Sequence, residues 1–198
     1  MPEAHTVEVT TYTLAELKEL GGRGYDNALD ALGQAATEYG WWDDELEGYI
    51  LEEVQRRWGI TFNPKNVTFD LGRGDRLCFG KTSDVDDKVF LKAAGIDLRT
   101  RAARAIYEDG GHLVLGVRYY GGGIAHNWVG FYEYEYLPDY IEDMQPGITD
   151  KLNDTLREAT DFALKVLKDD EESLTSEEYL LEWADISDYW FNEDGSWA

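Results

Sequence analysis

Apolar residues spaced three and four positions apart predict several amphipathic helices along this chain. The clearest examples are residues 26–39, where the pattern stops at Gly40, and residues 147–168. A capping box is expected at Thr13, because Glu16 follows three residues later and each side chain can bond the other's backbone N–H. Further helices are predicted at residues 42–58, 84–94, 98–107 and 175–184. The expected N-caps of the last three are Ser83, Asp97 and Thr175.

Alternation of β-branched or aromatic residues with polar ones predicts a smaller set of strands. They fall at residues 6–12, 67–71, 76–79, 112–120, 128–136 and 189–191. Glycine-rich turns join the second to the third and the fourth to the fifth, so we expect two hairpins. On the 128–136 strand three tyrosines share one face, and Glu133 and Glu135 share the other. Since no linker or repeat divides the chain, we predict a single α+β domain, residues 1–198, with helices packed on a mainly antiparallel sheet built from hairpins.

Residues 38–55, EYGWWDDELEGYILEEVQ, combine two adjacent tryptophans with seven carboxylates and no basic residue. A helix over residues 42–58 places one apolar stripe against the core and most of the carboxylates in solvent. The stripe is expected to consist of Trp42, Leu46, Tyr49, Ile50 and Val54. Glu53 and Arg57 lie four positions apart beside that stripe, so we predict a partly buried ion pair between them.

Charge restricts the function of this protein more than any motif does. The 198 residues include 41 acidic and 18 basic ones, a formal charge of −23. The distribution is −11 in residues 1–55, +5 in residues 56–104 and −17 in residues 105–198. A field of this sign repels phosphate, which argues against nucleic acid and anionic membranes as partners and favours a basic protein. The basic middle of the chain also raises the hypothesis of a homodimer in which basic and acidic patches meet.

The cysteine content and the first residues bear on location. Cys78 is the single cysteine, so no disulfide can form within the chain, as is usual in a reducing cytoplasm. The first twenty residues lack the basic and apolar regions of a signal peptide, and no apolar run reaches 18 residues. We therefore expect a soluble protein in the cytoplasm of a host cell. Its 14% aromatic content is too high for a disordered acidic tail.

The motifs in the sequence predict no cofactor, no metal and no catalytic residue. The segment GDRLCFGKT at residues 74–82 has one residue too many between its glycines for a phosphate-binding loop. The acidic run at residues 84–87 resembles the start of a calcium loop, but Val89 stands where that loop requires glycine and Gly95 where it requires glutamate. Cys78 and the three scattered histidines lack the spacing of transition-metal ligands.

Several stretches spread over the chain carry a resemblance. They are YTLAEL at 12–17, the tryptophan pair at 41–42 before a helix ending in GI at 59–60, GDRLCF at 74–79, and LTSEE at 174–178 followed by Tyr189, Phe191 and EDG at 193–195. Together they resemble a family of small acidic proteins encoded by phages and other mobile elements, from which the segment 88–104 departs. Such proteins include inhibitors of host restriction and CRISPR systems, some of which imitate DNA. The resemblance implies a fold shared with this family, which is generally of unknown function, and its setting among mobile elements makes an anti-restriction or anti-CRISPR role the expectation.

The charge pattern agrees with that role. Carboxylates two apart on a strand, or three and four apart on a helix, can occupy positions similar to successive phosphates. We therefore predict a non-enzymatic inhibitor that presents an acidic, DNA-like surface to a basic host protein, such as a nucleic-acid-binding nuclease. The residues expected to form this surface are Asp43, Asp44, Glu45, Glu52, Glu133, Glu135, Asp139, Glu142, Asp143, Asp150, Asp154, Glu158, Asp161, Asp169, Asp170, Glu171 and Glu172.

Two other functions are left open by the sequence. The acidity could serve solubility or adaptation to high salt in a structural or adaptor protein, which the low count of eight lysines favours. Carboxylate pairs such as Glu133 and Glu135 could alternatively act in a metal-assisted hydrolase.

Overall fold

A computed structural model describes residues 10–40, 44–71, 75–80, 84–108, 112–118, 126–131 and 136–198, with the backbone alone at residues 38–40 and 44. The helices are α1 (Leu14–Leu20), α2 (Arg23–Gly40), α3 (Asp44–Trp58), α4 (Asp87–Ala93), α5 (Arg101–Tyr107), α6 (Asp139–Met144), α7 (Ile148–Leu174) and α8 (Glu177–Ile186). The strands are β1 (Ile60–Thr61), β2 (Thr68–Asp70), β3 (Arg76–Cys78), β4 (Asp84–Val85), β5 (Leu113–Arg118) and β6 (His126–Phe131). Helices combined with antiparallel sheets confirm the predicted α+β class.

The chain forms two compact units, each with its own apolar core. The terminal unit combines residues 1–41 with residues 169–198, and the central unit is residues 42–168. Helix α7 begins in the central unit and ends in the terminal unit. The prediction of one domain stays a prediction, because compactness alone does not determine whether two units unfold together.

The terminal unit is a small helical assembly completed by the last residues of the chain. The buried positions of α1, α2 and α8 follow helical spacing, which directs one side of each helix to a common core. Glycine is required at position 24, because a Cβ there would lie 2.1 Å from the carbonyl oxygen of Glu193 in the tail. The core residues are Leu14, Leu17, Ala28, Leu32, Ala36, Leu180, Ala184 and Phe191.

The central unit contains a four-stranded antiparallel sheet in the order β1-β4-β5-β6 and a separate hairpin of β2 and β3. Both predicted hairpins are confirmed, with Arg118 opposite His126 at the end of the longer one. The second strand of that hairpin begins at His126, two residues earlier than predicted, and Tyr136, predicted at its end on the packed face, lies outside it and is exposed. Buried residues of α3, α4, α5 and α7 belong to the same core as those of the sheet. Cys78 is buried, as expected for a small apolar residue, and burial raises the pKa of its thiol.

Two local predictions are confirmed in detail. The hydroxyl of Thr13 accepts a hydrogen bond from the backbone N–H of Glu16, whose carboxylate accepts one from the Thr13 N–H at 2.8 Å. The side chain of Glu53 is only 17% exposed, and its carboxylate lies 2.5 Å from Arg57 and 2.8 Å from Arg56. The predicted ion pair is therefore present, and it includes a second arginine.

The structure corrects the predicted N-caps of three helices. Helix α4 begins after Asp86, because residues 84–85 pair as a strand with β1 and β5. Helix α5 begins after Thr100, and the predicted cap Asp97 instead accepts a hydrogen bond within the preceding turn. Helix α8 begins after Ser176, one residue later than predicted.

Other predictions differ from the structure or fall outside it. Tyr49, predicted on the apolar stripe of α3, is 49% exposed, whereas Ile50 and Val54 of the same stripe are buried. Helix α6 has no predicted counterpart, because six residues are too few for a helical period to be recognised. Trp42, Ser83 and residues 6–9 and 132–135 lie outside the described residues.

Candidate functional site

Charge is divided unequally between the two units. The described residues of the terminal unit include 16 acidic and 2 basic ones, a formal charge of −14. Those of the central unit include 19 acidic and 14 basic ones, a formal charge of −5, and they contain the basic segment 88–104. The smaller unit therefore produces the stronger negative field, and its surface is the candidate functional site.

Helix α8 presents carboxylates on one side and core residues on the other. The hydroxyl of Ser176 accepts a hydrogen bond from the backbone N–H of Tyr179 and so fixes the first turn. Leu180 and Ala184 are buried against α1 and α2. Offsets of four and three place three exposed carboxylates on one face, over about 10 Å of helix axis. These residues are Glu178, Glu182 and Asp185.

Aromatic rings in contact with one another support this helix. The ring centroids of Tyr179 and Trp183 are 6.4 Å apart, and those of Trp183 and Tyr189 are 5.4 Å apart. Trp197 lies 5.0 Å from both Tyr189 and Phe191. These separations are typical of favourable aromatic pairs, and rings have few rotatable bonds. The packing therefore holds α8 in place despite the repulsion among its carboxylates.

Glu177 connects α8 to helices α1 and α2. Its Oε1 lies 2.6 Å from the ammonium of Lys18 on α1 and accepts a hydrogen bond of 2.7 Å from the hydroxyl of Tyr25 on α2. The bond from Lys18, followed by that from Tyr25, holds the pKa of Glu177 below its ordinary value. Burial, together with the bond to Glu177, raises the pKa of Tyr25 to about 12. One of the two basic residues of this unit is thus already paired.

Helix α7 carries four of the predicted surface residues within the central unit. Arg157 lies on the same face, 2.9 Å from the carboxylate of Asp154, and Lys165 is exposed further along it. Basic residues therefore interrupt the acidic pattern on this part of the helix. The exposed carboxylates are those of Asp150, Asp154, Glu158 and Asp161.

The next four predicted residues, 169–172, belong to the terminal unit. Asp169 and Glu172 are exposed, whereas Asp170 and Glu171 are half-buried. These residues lie on α7 as well, but the structure assigns them and the four α7 residues above to different units.

The remaining predicted residues lie on α3 and α6 or outside the described chain. Helix α3 exposes Glu45 and Glu52, and only the backbone of Asp44 is described. Helix α6 exposes Asp139 and Asp143. The residues outside the described chain are Asp43, Glu133 and Glu135.

Glu142 has a local structural role. Its half-buried carboxylate accepts hydrogen bonds from the backbone N–H of Gly147 at 2.5 Å and from the hydroxyl of Thr149 at 2.7 Å. These bonds, that of the Thr149 hydroxyl first, hold the pKa of Glu142 below its ordinary value. The side chain therefore fixes the start of α7.

Sequence analysis missed the acidic residues of α2 and α8. The usable signal was the absence of lysine and arginine after Lys168, where the last thirty residues hold eleven acidic ones. The association of these last thirty residues with α2 depends on the tertiary fold, which local sequence patterns do not reveal. The missed exposed residues are Asp26, Asp30, Glu177, Glu178, Glu182 and Asp185.

The central unit contains a separate cleft of about 370 Å³ beside the β5–β6 hairpin. The indole of Trp128 lies 5.1 Å from the ring of Tyr136, whose hydroxyl accepts a hydrogen bond of 2.5 Å from Arg118. Asn153 of α7 accepts a hydrogen bond from the backbone N–H of Val129 and ties the helix to the strand. A pair of aromatic rings in contact, together with a few polar groups, lines the kind of cleft that binds small planar molecules.

Within the described residues, no group of three or more His, Cys, Asp or Glu side chains could hold a metal ion. None of the described helices is both long and apolar enough to cross a membrane. Comparison of the chain with protein-family models, with curated proteins and with solved structures gives no match. The function is therefore inferred from the geometry and charge of the protein itself.

Proposed function

We propose that this protein is a non-enzymatic inhibitor that acts in the cytoplasm of a host cell. It binds a basic, DNA-binding protein such as a defence nuclease by presenting carboxylates in place of DNA phosphates. The observation that supports this proposal is the concentration of charge in the terminal unit, −14 over its described residues against −5 over those of the central unit. A basic groove that attracts phosphates attracts such a surface in the same way.

The packing of the terminal unit favours recognition by shape as well as by charge. The carboxylates of α8 project from a helix braced by aromatic rings, so their spacing is fixed before binding. A fixed arrangement reduces the entropy lost on association. Because the interaction depends on many charges, we expect its affinity to fall steeply with salt.

The experiment compares two variants that each lose three carboxylates. One carries Glu178→Gln, Glu182→Gln and Asp185→Asn on α8, and the control carries Asp150→Asn, Asp154→Asn and Glu158→Gln on α7. Nucleases recovered from a host lysate with the wild-type protein are assayed for DNA cleavage. We expect the α8 variant to inhibit cleavage about tenfold less well, since each exposed charge contributes a few tenths of a kcal/mol or more. Equal loss in both variants would show that net charge alone matters, and inhibition insensitive to salt would contradict the proposal.

Adaptation to high salt makes a different prediction. A protein whose acidity serves that purpose loses its fold on dialysis against low salt, because its carboxylates repel one another without counterions. We expect this protein to stay folded there, since its acidic helices are held by buried apolar and aromatic residues. Far-UV circular dichroism before and after dialysis distinguishes the two.

We propose a second function, binding of a small planar ligand, on the basis of the cleft in the central unit. The paired rings of Trp128 and Tyr136 are the observation that favours it. Titration of the isotope-labelled protein with indole or adenine should shift the indole N–H resonance of Trp128 in NMR spectra, and Tyr136→Ala should weaken this effect. The absence of any shift with either compound would exclude planar ligands of this size.

A further inference from the structure

A groove of about 560 Å³ lies between α2 and α8 of the terminal unit. Its apolar part is formed by Leu29, Gly33 and Leu180, of which Leu180 is buried. Polar side chains surround this part: Asp30, Gln34, Thr175 and Glu177. The groove thus combines an apolar surface with two carboxylates inside the most acidic unit of the protein.

Gly33 opens the groove, although packing does not require a glycine there. A Cβ at this position would lie 4.0 Å from Leu180 Cδ1 and 4.0 Å from Thr175 Cγ2, which is ordinary contact. At Gly24, by contrast, a Cβ would meet backbone at 2.1 Å. Glycine inside a helix lowers stability relative to alanine. Its effect at position 33 is to leave free the space that a longer side chain would fill.

Two carboxylates at the groove can still accept hydrogen bonds. Asp30 is exposed and has no hydrogen bond or ion pair to the described residues. Glu177 accepts its bonds from Lys18 and Tyr25 on the same oxygen, Oε1, and its Oε2 accepts none from the described residues. A positively charged group in the groove would therefore find acceptors at its polar edge.

We propose that the groove receives a long cationic side chain, arginine or lysine, from the basic partner. Its aliphatic stem packs on Leu29 and Leu180 across Gly33, and its charged head pairs with Asp30 and Glu177. An apolar side chain would leave Asp30 and Oε2 of Glu177 without a partner, and an anionic one would be repelled. This inference rests on the proposed function for the nature of the partner. It adds the groove as the anchor, which is the place where one side chain of that partner binds.

The test uses N-acetyl-argininamide as a probe with the isotope-labelled full chain. We expect NMR shifts of backbone amides to concentrate at residues 29–34 and 175–180. The citrulline analogue has the same shape without charge, and we expect it to bind about tenfold more weakly. Equal binding of the norleucine analogue would show that the groove accepts an apolar side chain instead, and shifts spread evenly over all acidic segments would show non-specific attraction. Either result would overturn the proposal.

A matched pair of glycine variants separates binding from folding. Gly33→Leu fills the groove. Gly48→Leu is the control, because Gly48 is an exposed glycine of α3 and a Cβ added there would meet nothing within 4 Å. Both replace a helical glycine by a better helix former, so both should fold at least as well as the wild type. We expect Gly33→Leu alone to reduce probe affinity, at least tenfold. Unchanged affinity in this variant would overturn the proposal.

A charge variant keeps the proposal testable if Gly33→Leu does not fold. Asp30→Asn removes one carboxylate from the groove without changing its shape, and Asp26→Asn removes one from the preceding turn of α2 as a control. We expect Asp30→Asn to weaken binding of the arginine probe about threefold, as is usual for one exposed ion pair, and the control to leave it unchanged. Equal effects would overturn the proposal.

The proposed inhibitor function and the proposed binding of a cationic side chain in the groove fail in different ways. If the arginine probe binds at Gly33 but no nuclease is inhibited, the anchor is supported and the proposed function is wrong. If a nuclease is inhibited equally well by the wild type and by folded Gly33→Leu, the proposed function is supported and the anchor is wrong.

Discussion

Tyr12 and Phe191 exchange two backbone hydrogen bonds, each 2.8 Å long, and so join the segment before α1 to the tail after α8. The side chain of Phe191 is fully buried, and its ring lies 5.0 Å from that of Trp197. This bridge completes the terminal unit from both ends of the chain. The arrangement of its carboxylates therefore depends on a contact between residues about 180 positions apart.

Replacement of Phe191 by alanine tests that dependence. We expect Phe191→Ala to lower the free energy of unfolding by about 3–5 kcal/mol, because it leaves a cavity where a buried aromatic ring was. Urea denaturation followed by circular dichroism gives this value. Ile186→Ala is the control, since Ile186 is 75% exposed and its truncation should change stability by less than about 0.5 kcal/mol. Equal effects of the two substitutions would show that the bridge does not support the unit.

Glu53 should titrate at an unusually low pH. Hydrogen bonds from Arg56, and then from Arg57, lower its pKa from 4.5 to about 2. Because this folded-state pKa is below the unfolded one, the stabilisation is complete above about pH 4.5 and is lost as the pH falls toward 2. NMR titration of the side-chain carboxyl measures the value directly. Arg56→Gln should raise it more than Arg57→Gln, and a midpoint near 4.5 in the wild type would contradict the geometry.

Asp87 should make the free energy of unfolding depend on pH in the opposite direction to Glu53. Its carboxylate is 7% exposed, accepts a hydrogen bond of 2.8 Å from the backbone N–H of Leu113 and lies 3.2 Å from Nδ1 of His112. Burial raises its pKa above the ordinary value of 3.8 despite these two contacts. The folded state therefore holds the proton over a pH range in which the unfolded state has lost it. The contribution of Asp87 to stability falls as the pH rises through that range.

Asp87→Asn removes this titration. Both the variant and its reference should carry His112→Gln, so that the two proteins differ only in the carboxylate of Asp87 and not in its contact with the imidazole. As the pH rises from about 4 to 7, we expect the free energy of unfolding of the asparagine variant to increase relative to the reference. Urea denaturation at several pH values provides the comparison. A difference that stays constant with pH would rule out a raised pKa.

The sequence predicted features whose partners lie within one helical turn. The capping box of Thr13 and Glu16 and the contact of Glu53 with Arg57 span three and four residues, so helical geometry alone determines them. The start of α4 could not be predicted in this way. Residues 84–85 leave the helix because they pair with β1 and β5, and that pairing is decided elsewhere in the chain.

The candidate site was predicted less completely than the fold class. Local sequence patterns identified the acidic run at 169–172, but they also included residues earlier on α7 that alternate with Arg157 and Lys165. The association of α2 with α8 follows from burial of Leu32 and Leu180 in one core, across about 150 residues of intervening chain. Local periodicity indicates which side of each helix is buried, but it does not indicate which helices share a core.

Gly116 and Trp128 offer a test of the cleft in the central unit. A Cβ on Gly116 would lie 2.1 Å from Cε2 and 2.5 Å from Nε1 of the indole, so the ring can occupy its position only above a glycine. We expect Gly116→Ala to displace Trp128 and to lower the free energy of unfolding by about 1–3 kcal/mol. Gly48→Ala, where a Cβ meets nothing within 4 Å, should instead raise it by about 0.5–1 kcal/mol. Urea denaturation gives both values, and an unshifted indole N–H resonance of Trp128 in Gly116→Ala would contradict the predicted displacement.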